Sequence, residues 1–564
     1  MENQTETMVV QESGTRTLRT FTKKEQSMYL LGVAGQNVIY NIIGAALAYY
    51  LQFTLLIPAM AVSVIMAIAR IWDAINDPMM GTIVDKTRSK WGKCRPYLIY
   101  VPVPIMIITI LCFVNFGFYD ASESANVALN VLIVGWAAFT YILWGMTYTV
   151  GDIPLWGVTA LMTEDEKDRN KLLSLARIAG GVGAGVTMLA IQPFALAIAD
   201  VISASIGAKM LGSPEAWEAL KQTATANSEL FASQLSAGVP YEQLTHLLEV
   251  DPILAEATRQ GEKWGFLIVA VVFAIVGTVL FQLCGIGIKE RVAPSEEKHT
   301  LKENFKLMWT NKPFRQILLS GILGSPKNLL SLAAMPLITY YFASKDALLA
   351  LVYMALLGGG MFGGMFVSMA LCPKLLTKFS KKDIYNYGNL LGVIPFVLIF
   401  VAYLIDPRGL ANWYWIAIFF VFFIAGGASQ GVTSVLQSYM IADCVDYEEY
   451  HNGIRPDGVF FSGQTFIAKM QAGIATILSG VFYAIYGFSD AAVAKVNDYI
   501  SAGLIPREIP EFDPYMEVLF LIISIPPAIG CILSVIPTWK YCLDDKEHAR
   551  ILDELNKRRS ALEE

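Results

Sequence analysis

Charge is scarce in this chain of 564 residues. Asp, Glu, Lys and Arg make up 16% of it, against about 25% in an ordinary soluble protein. With 55% hydrophobic residues and a mean hydropathy of +0.49, that shortage excludes an ordinary soluble domain. Histidine is scarcer still. His246, His299, His451 and His548 all fall in polar stretches, which excludes a histidine proton relay inside the apolar segments. The seven cysteines are an odd number without CxxC or other metal-ligand spacing, and none lies in the longest hydrophilic insertion. No disulfide framework is indicated. The N-terminus, MENQTETMVVQESGTRTLRTFTKKEQ, lacks the apolar stretch and cleavage site of a signal peptide and reads as a polar tail. A net charge of −6 is small and points to no nucleic acid partner.

What the chain has instead is a succession of apolar runs. Each is about 20 residues long, enough to cross ~30 Å of hydrocarbon. Window reading predicts about twelve spans at 27–56, 58–85, 97–118, 127–157, 172–200, 264–287, 313–343, 347–372, 383–405, 411–442, 459–487 and 513–540. The connections alternate in charge. DKTRSKWGKCRP carries five basic residues, and 288–312 and CPKLLTKFSKK are basic too, whereas DASESAN has none. The positive-inside rule therefore predicts that both termini are cytoplasmic.

The basic stretch 288–312 divides the spans six and six. The expected organisation is a tail at 1–26, a six-helix bundle at 27–287, a linker at 288–312, a second bundle at 313–540 and a tail at 541–564. Two weak internal echoes support the division: GTIVDKTRSKWGK with MALCPKLLTKFSKK, and SAGVPYEQLTHLLEVDP with SAGLIPREIPEFDP. The expected fold class is an all-α polytopic membrane protein of two six-helix bundles, the duplicated design of major facilitator transporters. The insertion 201–263 is acidic and outward-facing. Asp251 as N-cap and Pro252 at the first helical position predict a helix there, so a small helical lid is expected, with a mobile loop as the alternative.

Ionisable residues inside the spans mark the chemistry. In RIWDAINDPMMG, Asp73 and Asp77 stand one turn apart on one helix face, flanked by Arg70 and Asn76. Pro78 has no N–H, so the carbonyl of Ala74 loses its helical partner. These are hard oxygen ligands, suited to a small cation or a proton. Two carboxylates so close repel when both are ionised in low dielectric, and one must take up a cation or a proton. In YILWGMTYTVGDIPLWGV, Asp152 is the intramembrane acid, Thr149 lies one turn before it and Trp156 one turn after. Pro154 frees the carbonyl of Val150. Trp156 offers an aromatic face of the kind that stacks on sugar rings. Arg177, Lys327 and Lys469 add three bases in the fifth, seventh and eleventh spans.

A single buried Asp–Arg pair is as well explained by helix pairing as by function. Such residues spread over five spans, with prolines beside two of the acids, favour a transport pathway. Trp156 alone would more often be at the lipid interface or in packing. The glycines of GGGMFGG (358–364) are most simply close helix contacts, and the acids of MIADCVDYEEYHNGIRPDG read as a gate or a solvated face.

RIWDAINDPMMG, TRSKWGKCRP, YILWGMTYTVGDIPLW and MIADCVDYEEY closely resemble signature segments of the glycoside–pentoside–hexuronide:cation symporters, whose best-known member is the melibiose carrier. The match spans both halves and leaves 201–263 uncovered. The resemblance implies a cation site of Asp73, Asn76, Asp77 and Thr149, for sodium or a proton, and a sugar site including Asp152, Trp156, Arg177 and Lys469. It also implies a multi-pass protein of a bacterial-type plasma membrane, acting as a monomer with no cofactor beyond its coupling ion. Two positions depart from the melibiose-carrier pattern. Asn37 stands where a sugar-binding Asp is expected and Ser434 where a Trp is expected, so neither galactoside specificity nor a small substrate is implied.

Counting Asp73, Asp77 and Asp152 against Arg70, Arg177, Lys327 and Lys469 leaves one surplus positive charge, if Lys327 faces the same cavity. An anionic substrate such as a uronide would balance it. The expected function is cation-coupled symport of a sugar, glycoside or hexuronide, with sodium favoured because Thr149 and Asn76 beside two carboxylates suit a desolvated metal ion. The rivals are a proton-coupled exporter or exchanger of larger amphipathic solutes and a non-transporting sensor signalling through DDKEHARILDELNKRRSALEE. No nucleophile–base or metal constellation suggests an enzyme.

Overall fold

The structure, a computed structural model, describes residues 19–120, 122, 125–163, 166–291, 301–453 and 457–563. Most of the N-terminal tail and the middle of the 288–312 linker lie outside the described residues. So do the side chains of Ala74 and Pro78, on which the expectation of a loosened carbonyl rests.

Among the described residues the secondary structure is helical, apart from one isolated bridge between Ser89 and Gly92 in the basic turn. Helix occupies every one of the twelve expected positions. The first to sixth segments are Lys23–Asn41 continuing to Thr54, Ala59–Lys86, Arg95–Tyr100 with Pro102–Leu111, Val127–Gly157, Glu166–Leu211 and Pro252–Gly287. The seventh is Lys312–Leu323 with a continuation to Ala343, and the eighth runs from Ala347 to Leu375. The ninth to twelfth are Lys381–Ile405, Trp413–Asn452, Asp457–Ile485 and Asp513–Thr538.

Nine of the described helices are long and apolar enough to cross a membrane, or ten if the bent pair Lys312–Leu323 and Ser325–Ala343 counts as one span. Among the described residues the second and third segments are represented by shorter apolar helices. Of the second, the described residues leave the apolar helix Ala59–Arg70. Pro102, which lacks an N–H, splits the third and leaves Pro102–Leu111. The helices begin where capping predicts. Thr22 and Glu25 form a reciprocal capping box at the first segment, Asn126 accepts from Leu129 N at 3.2 Å at the fourth, and Ser380 accepts from Asp383 N at the ninth. Val272, Val276 and Val279 make an exposed apolar stripe along the sixth segment, the surface a helix presents to lipid.

The chain divides into two compact units, Met1–Ala224 with Val250–Glu297 and Thr225–Glu249 with Lys298–Glu564. In the first unit the sixth segment packs on the first and the fifth, and the second packs on the fourth. Gly35 and Gly277 let the first and sixth approach backbone to backbone: a Cβ on Gly35 would lie 2.5 Å from the Gly277 carbonyl. In the second unit the eighth segment packs on the tenth, and the ninth on the tenth and twelfth. Within GGGMFGG, Gly360 and Gly364 meet Phe420 and the Ile424 carbonyl, whereas nothing lies within 4 Å of a Cβ on Gly359 or Gly363.

The insertion is helical, with a long helix at Pro214–Ser236. Asp251 caps the next helix, accepting from Ile253 N at 2.8 Å, and that helix runs on unbroken as the sixth segment. The insertion is also divided. Trp217 is buried against Gly207 in the first unit, while Ser228 donates to the Gly503 carbonyl at 2.7 Å in the second. The C-terminal tail is the helix Asp545–Glu563. It buries Ile551 and Leu555 in a core with Met440, Ile441 and Cys444.

Candidate functional site

In the first unit the second and fourth segments bring the four expected cation ligands together. Asp73, Asn76 and Thr149 are buried and Asp77 is half-buried. The Thr149 hydroxyl lies 2.9 Å from Asp77 Oδ1 and 3.1 Å from the Gly145 carbonyl, so one proton serves two acceptors. Asn76 Nδ2 donates to the Met146 carbonyl at 3.3 Å. Arg70 Nη1 sits 3.2 Å from Asp73 Oδ2, one turn earlier on the same helix. Gly145 makes the approach possible, because a Cβ there would lie 3.0 Å from Asp73 Oδ1. Two carboxylates, an amide and a hydroxyl on two facing helices form a hard-oxygen set for a small cation.

Asp152 is the centre of a second cluster one turn further along the fourth segment. Its Oδ1 accepts from Gln36 Nε2 at 2.7 Å and from Trp156 Nε1 at 3.2 Å. Gln36 Nε2 also donates to the Tyr148 hydroxyl, and Asn37 Nδ2 donates to Gln36 Oε1 at 2.8 Å. Asn37 and Asp152 are thus joined through Gln36. Gly180 of the fifth segment faces Asn37, since a Cβ there would be 2.8 Å from its Nδ2. Arg177, one turn before Gly180, is exposed.

Gln36, Tyr148 and Gly145 were not singled out from the sequence. Their signals were nevertheless present: Gln36 adjoins Asn37, and Tyr148 precedes Asp152 by four residues. An aromatic wall lines the same helices. Trp144 stacks on Tyr148 with ring centroids 4.8 Å apart, and Tyr40 lies 5.3 Å from Tyr148. In the second unit Ser434 is exposed on the tenth segment and Lys469 half-buried on the eleventh. Lys327 lies in the same unit, on the turn Ser325–Asn328 of the seventh segment. It bonds to Asn389 of the ninth segment and packs on Gly530 of the twelfth.

A family model described as MFS/sugar transport protein matches residues 28–545. The inner membrane symporter YicJ of Escherichia coli (strain K12) is 24% identical over 524 residues, covering 92% of this chain and 91% of that protein. The isoprimeverose transporter of Lactiplantibacillus pentosus is 22% identical over 466 residues, covering 82% and 80%. The glucuronide carrier protein homolog of Escherichia coli (strain K12) is 22% identical over 545 residues, covering 94% and 95%. Among solved structures, a bacterial homolog to the human lysosomal transporter Spinster aligns with a TM-score of 0.54 at 14% identity, over 94% of this chain and 98% of that one. That likeness speaks for the fold alone.

Proposed function

The chain belongs to the MFS/sugar transport protein family, transporters and not enzymes, and from that premise we propose a sodium-coupled importer of glycosides, including hexuronides, working by alternating access. The observation that carries the reading is the Thr149–Asp77 bond, which ties the cation ligands of the second segment to the helix that holds Asp152.

A cation entering between Asp73 and Asp77 relieves their repulsion. It also draws on the Thr149 oxygen, whose proton has the Gly145 carbonyl as a second acceptor. The second and fourth segments are then held together, and Asp152, one turn away, is positioned with Gln36 and Trp156 for sugar hydroxyls. Such coupling is reciprocal, so the sugar raises cation affinity by the same factor. Sodium suits a set of four oxygen ligands, whereas a proton needs only one carboxylate.

Charge supports an anionic cargo. Of the site residues named from the sequence in the first unit, three are acids, Asp73, Asp77 and Asp152, and two are bases, Arg70 and Arg177, so a bound cation neutralises that set. Lys469 of the second unit is then left for a substrate carboxylate. The names of the relatives, an isoprimeverose transporter and a glucuronide carrier homolog, fit both a neutral and an acidic sugar.

The test is uptake of labelled glucuronides and matched neutral glycosides into proteoliposomes, with sodium varied at fixed pH. Sodium-stimulated uptake that favours the glucuronide is expected. Uptake that follows pH and ignores sodium removes the sodium assignment, and equal rates for the two sugars remove the anionic cargo.

A further inference from the structure

In the second unit the seventh segment begins beside an exposed aromatic ring. The preceding helix, Leu301–Thr310, buries Met308 in the core and leaves Trp309 exposed. Helix Lys312–Leu323 follows at once, and the Arg315 guanidinium in its first turn lies over the Trp309 ring, 5.9 Å from the centroid. A ring face attracts a guanidinium through its π electrons and does not occupy the N–H groups of the fork.

The next residue ties this end to the twelfth segment. Gln316 Nε2 donates to the carbonyls of Pro537 and Lys540 at 3.0 and 2.9 Å, and its Oε1 accepts from Cys542 N at 3.1 Å. Trp539 and Lys540, both exposed, are thereby brought to the same end of the unit as Arg315. Trp539 meets the exposed Tyr387 of the ninth segment edge to face, with centroids 6.4 Å apart. Lys312 is engaged elsewhere, since it lines a cavity together with Asp544 and Glu547.

Above these residues run two apolar stripes. Arg315, Leu319 and Leu323 are spaced by four residues and share one face of the seventh segment. Ile529, Ile532, Ile536 and Trp539 share a face of the twelfth, and the two helices pack on each other. The leucines, the isoleucines and Trp539 are all exposed. In a membrane protein such stripes are covered by acyl chains. A base and indole rings at the end of the stripes then stand at the level of the headgroups.

We propose that this corner of the second unit binds an anionic phospholipid. The phosphate is gripped by the Arg315 fork on its Trp309 platform and attracted by the Lys540 ammonium. The acyl chains lie along Leu319, Leu323, Ile532 and Ile536, flanked by Trp309 and Trp539. Two bases call for a headgroup of net negative charge, because a zwitterionic one brings its own cation to the site. The site is separate from the sodium and sugar residues and does not depend on their assignment.

The test is thermal unfolding of the purified full chain in detergent, titrated with phosphatidylglycerol, with phosphatidylcholine of the same acyl chains, or with inorganic phosphate. A ligand of the folded chain raises its Tm. Phosphatidylglycerol is expected to raise it by several degrees, phosphatidylcholine by clearly less and inorganic phosphate not at all. Arg315→Gln and Trp309→Ala are expected to lose most of the difference between the two lipids. Lys374→Gln, at an exposed base between the eighth and ninth segments, is expected to keep it. Equal shifts from both lipids overturn the proposal. So does an inorganic phosphate shift as large as that of phosphatidylglycerol, which means an anion site and no lipid site. A loss in Lys374→Gln matching that in Arg315→Gln means diffuse surface charge and overturns it too. Where Arg315→Gln does not fold, Trp309→Ala decides alone: an undiminished difference overturns the proposal.

Discussion

The hydroxyl of Thr149 stands 2.9 Å from Asp77 Oδ1, and this contact joins the helix of Asp73 and Asp77 to the helix that carries Asp152. Hydrogen bonds to charged groups contribute about 1.5–3 kcal/mol, or roughly 10- to 150-fold in affinity. Thr149→Ala is therefore expected to raise the sodium concentration for half-maximal uptake by about tenfold or more, with Thr149→Ser close to wild type. Asp77→Cys is expected to abolish sodium stimulation. Wild-type stimulation in Asp77→Cys would overturn the site assignment.

Gly145 leaves room for Asp73. A methyl group there would press on the carboxylate from 3.0 Å, displacing one ligand while leaving Asp77 and Thr149 in place. Gly145→Ala is expected to weaken sodium affinity by about tenfold, equivalent to ~1.4 kcal/mol. Sodium-dependent shifts in Tm measure this without any transport assay.

Gln36 is the donor that holds Asp152 at 2.7 Å. Removing it in Gln36→Ala is expected to raise the half-saturating substrate concentration by about tenfold, a loss of ~1.4 kcal/mol. Gln36→Glu sets a second carboxylate against Asp152 and is expected to bind substrate less well still. An unchanged substrate dependence in both variants would remove Gln36 from the site.

Gly364 and Gly363 are neighbours in sequence with opposite surroundings. A Cβ on Gly364 would sit 2.1 Å from the Ile424 carbonyl, and one on Gly363 would meet nothing within 4 Å. Gly364→Ala is expected to destabilise the second unit by about 1–3 kcal/mol, read as a lower Tm. Gly363→Ala is expected to stay within about 0.5 kcal/mol of wild type.

Much of this site was legible before any coordinates. Asp73, Asn76 and Asp77 share a face by helical periodicity, and each is conspicuous in an apolar run, so the sequence alone marks them. Thr149 and Asp152 are one turn apart for the same local reason. Gln36 and Tyr148 were marked only by their spacing from Asn37 and Asp152, and Gly145 not at all, because their roles depend on which faces of the first, second and fourth segments meet. Lys327 shows the limit most clearly. Its position in the seventh segment marks it as an intramembrane charge, but that its bond goes to Asn389 and its stem packs on Gly530 is set by the ninth and twelfth segments.

The sequence by itself determined a membrane protein of apolar helices, the acids that interrupt them, and their arrangement along each helix, since apolar content and the 3.6-residue period are local properties. Only the tertiary structure decided which side chains those acids meet. Helix rotation and pairing are set by close approaches at residues such as Gly145 and Gly180, where the missing Cβ lets one backbone take its place against a polar side chain of another segment. That is a property of two surfaces together, and neither segment carries it alone.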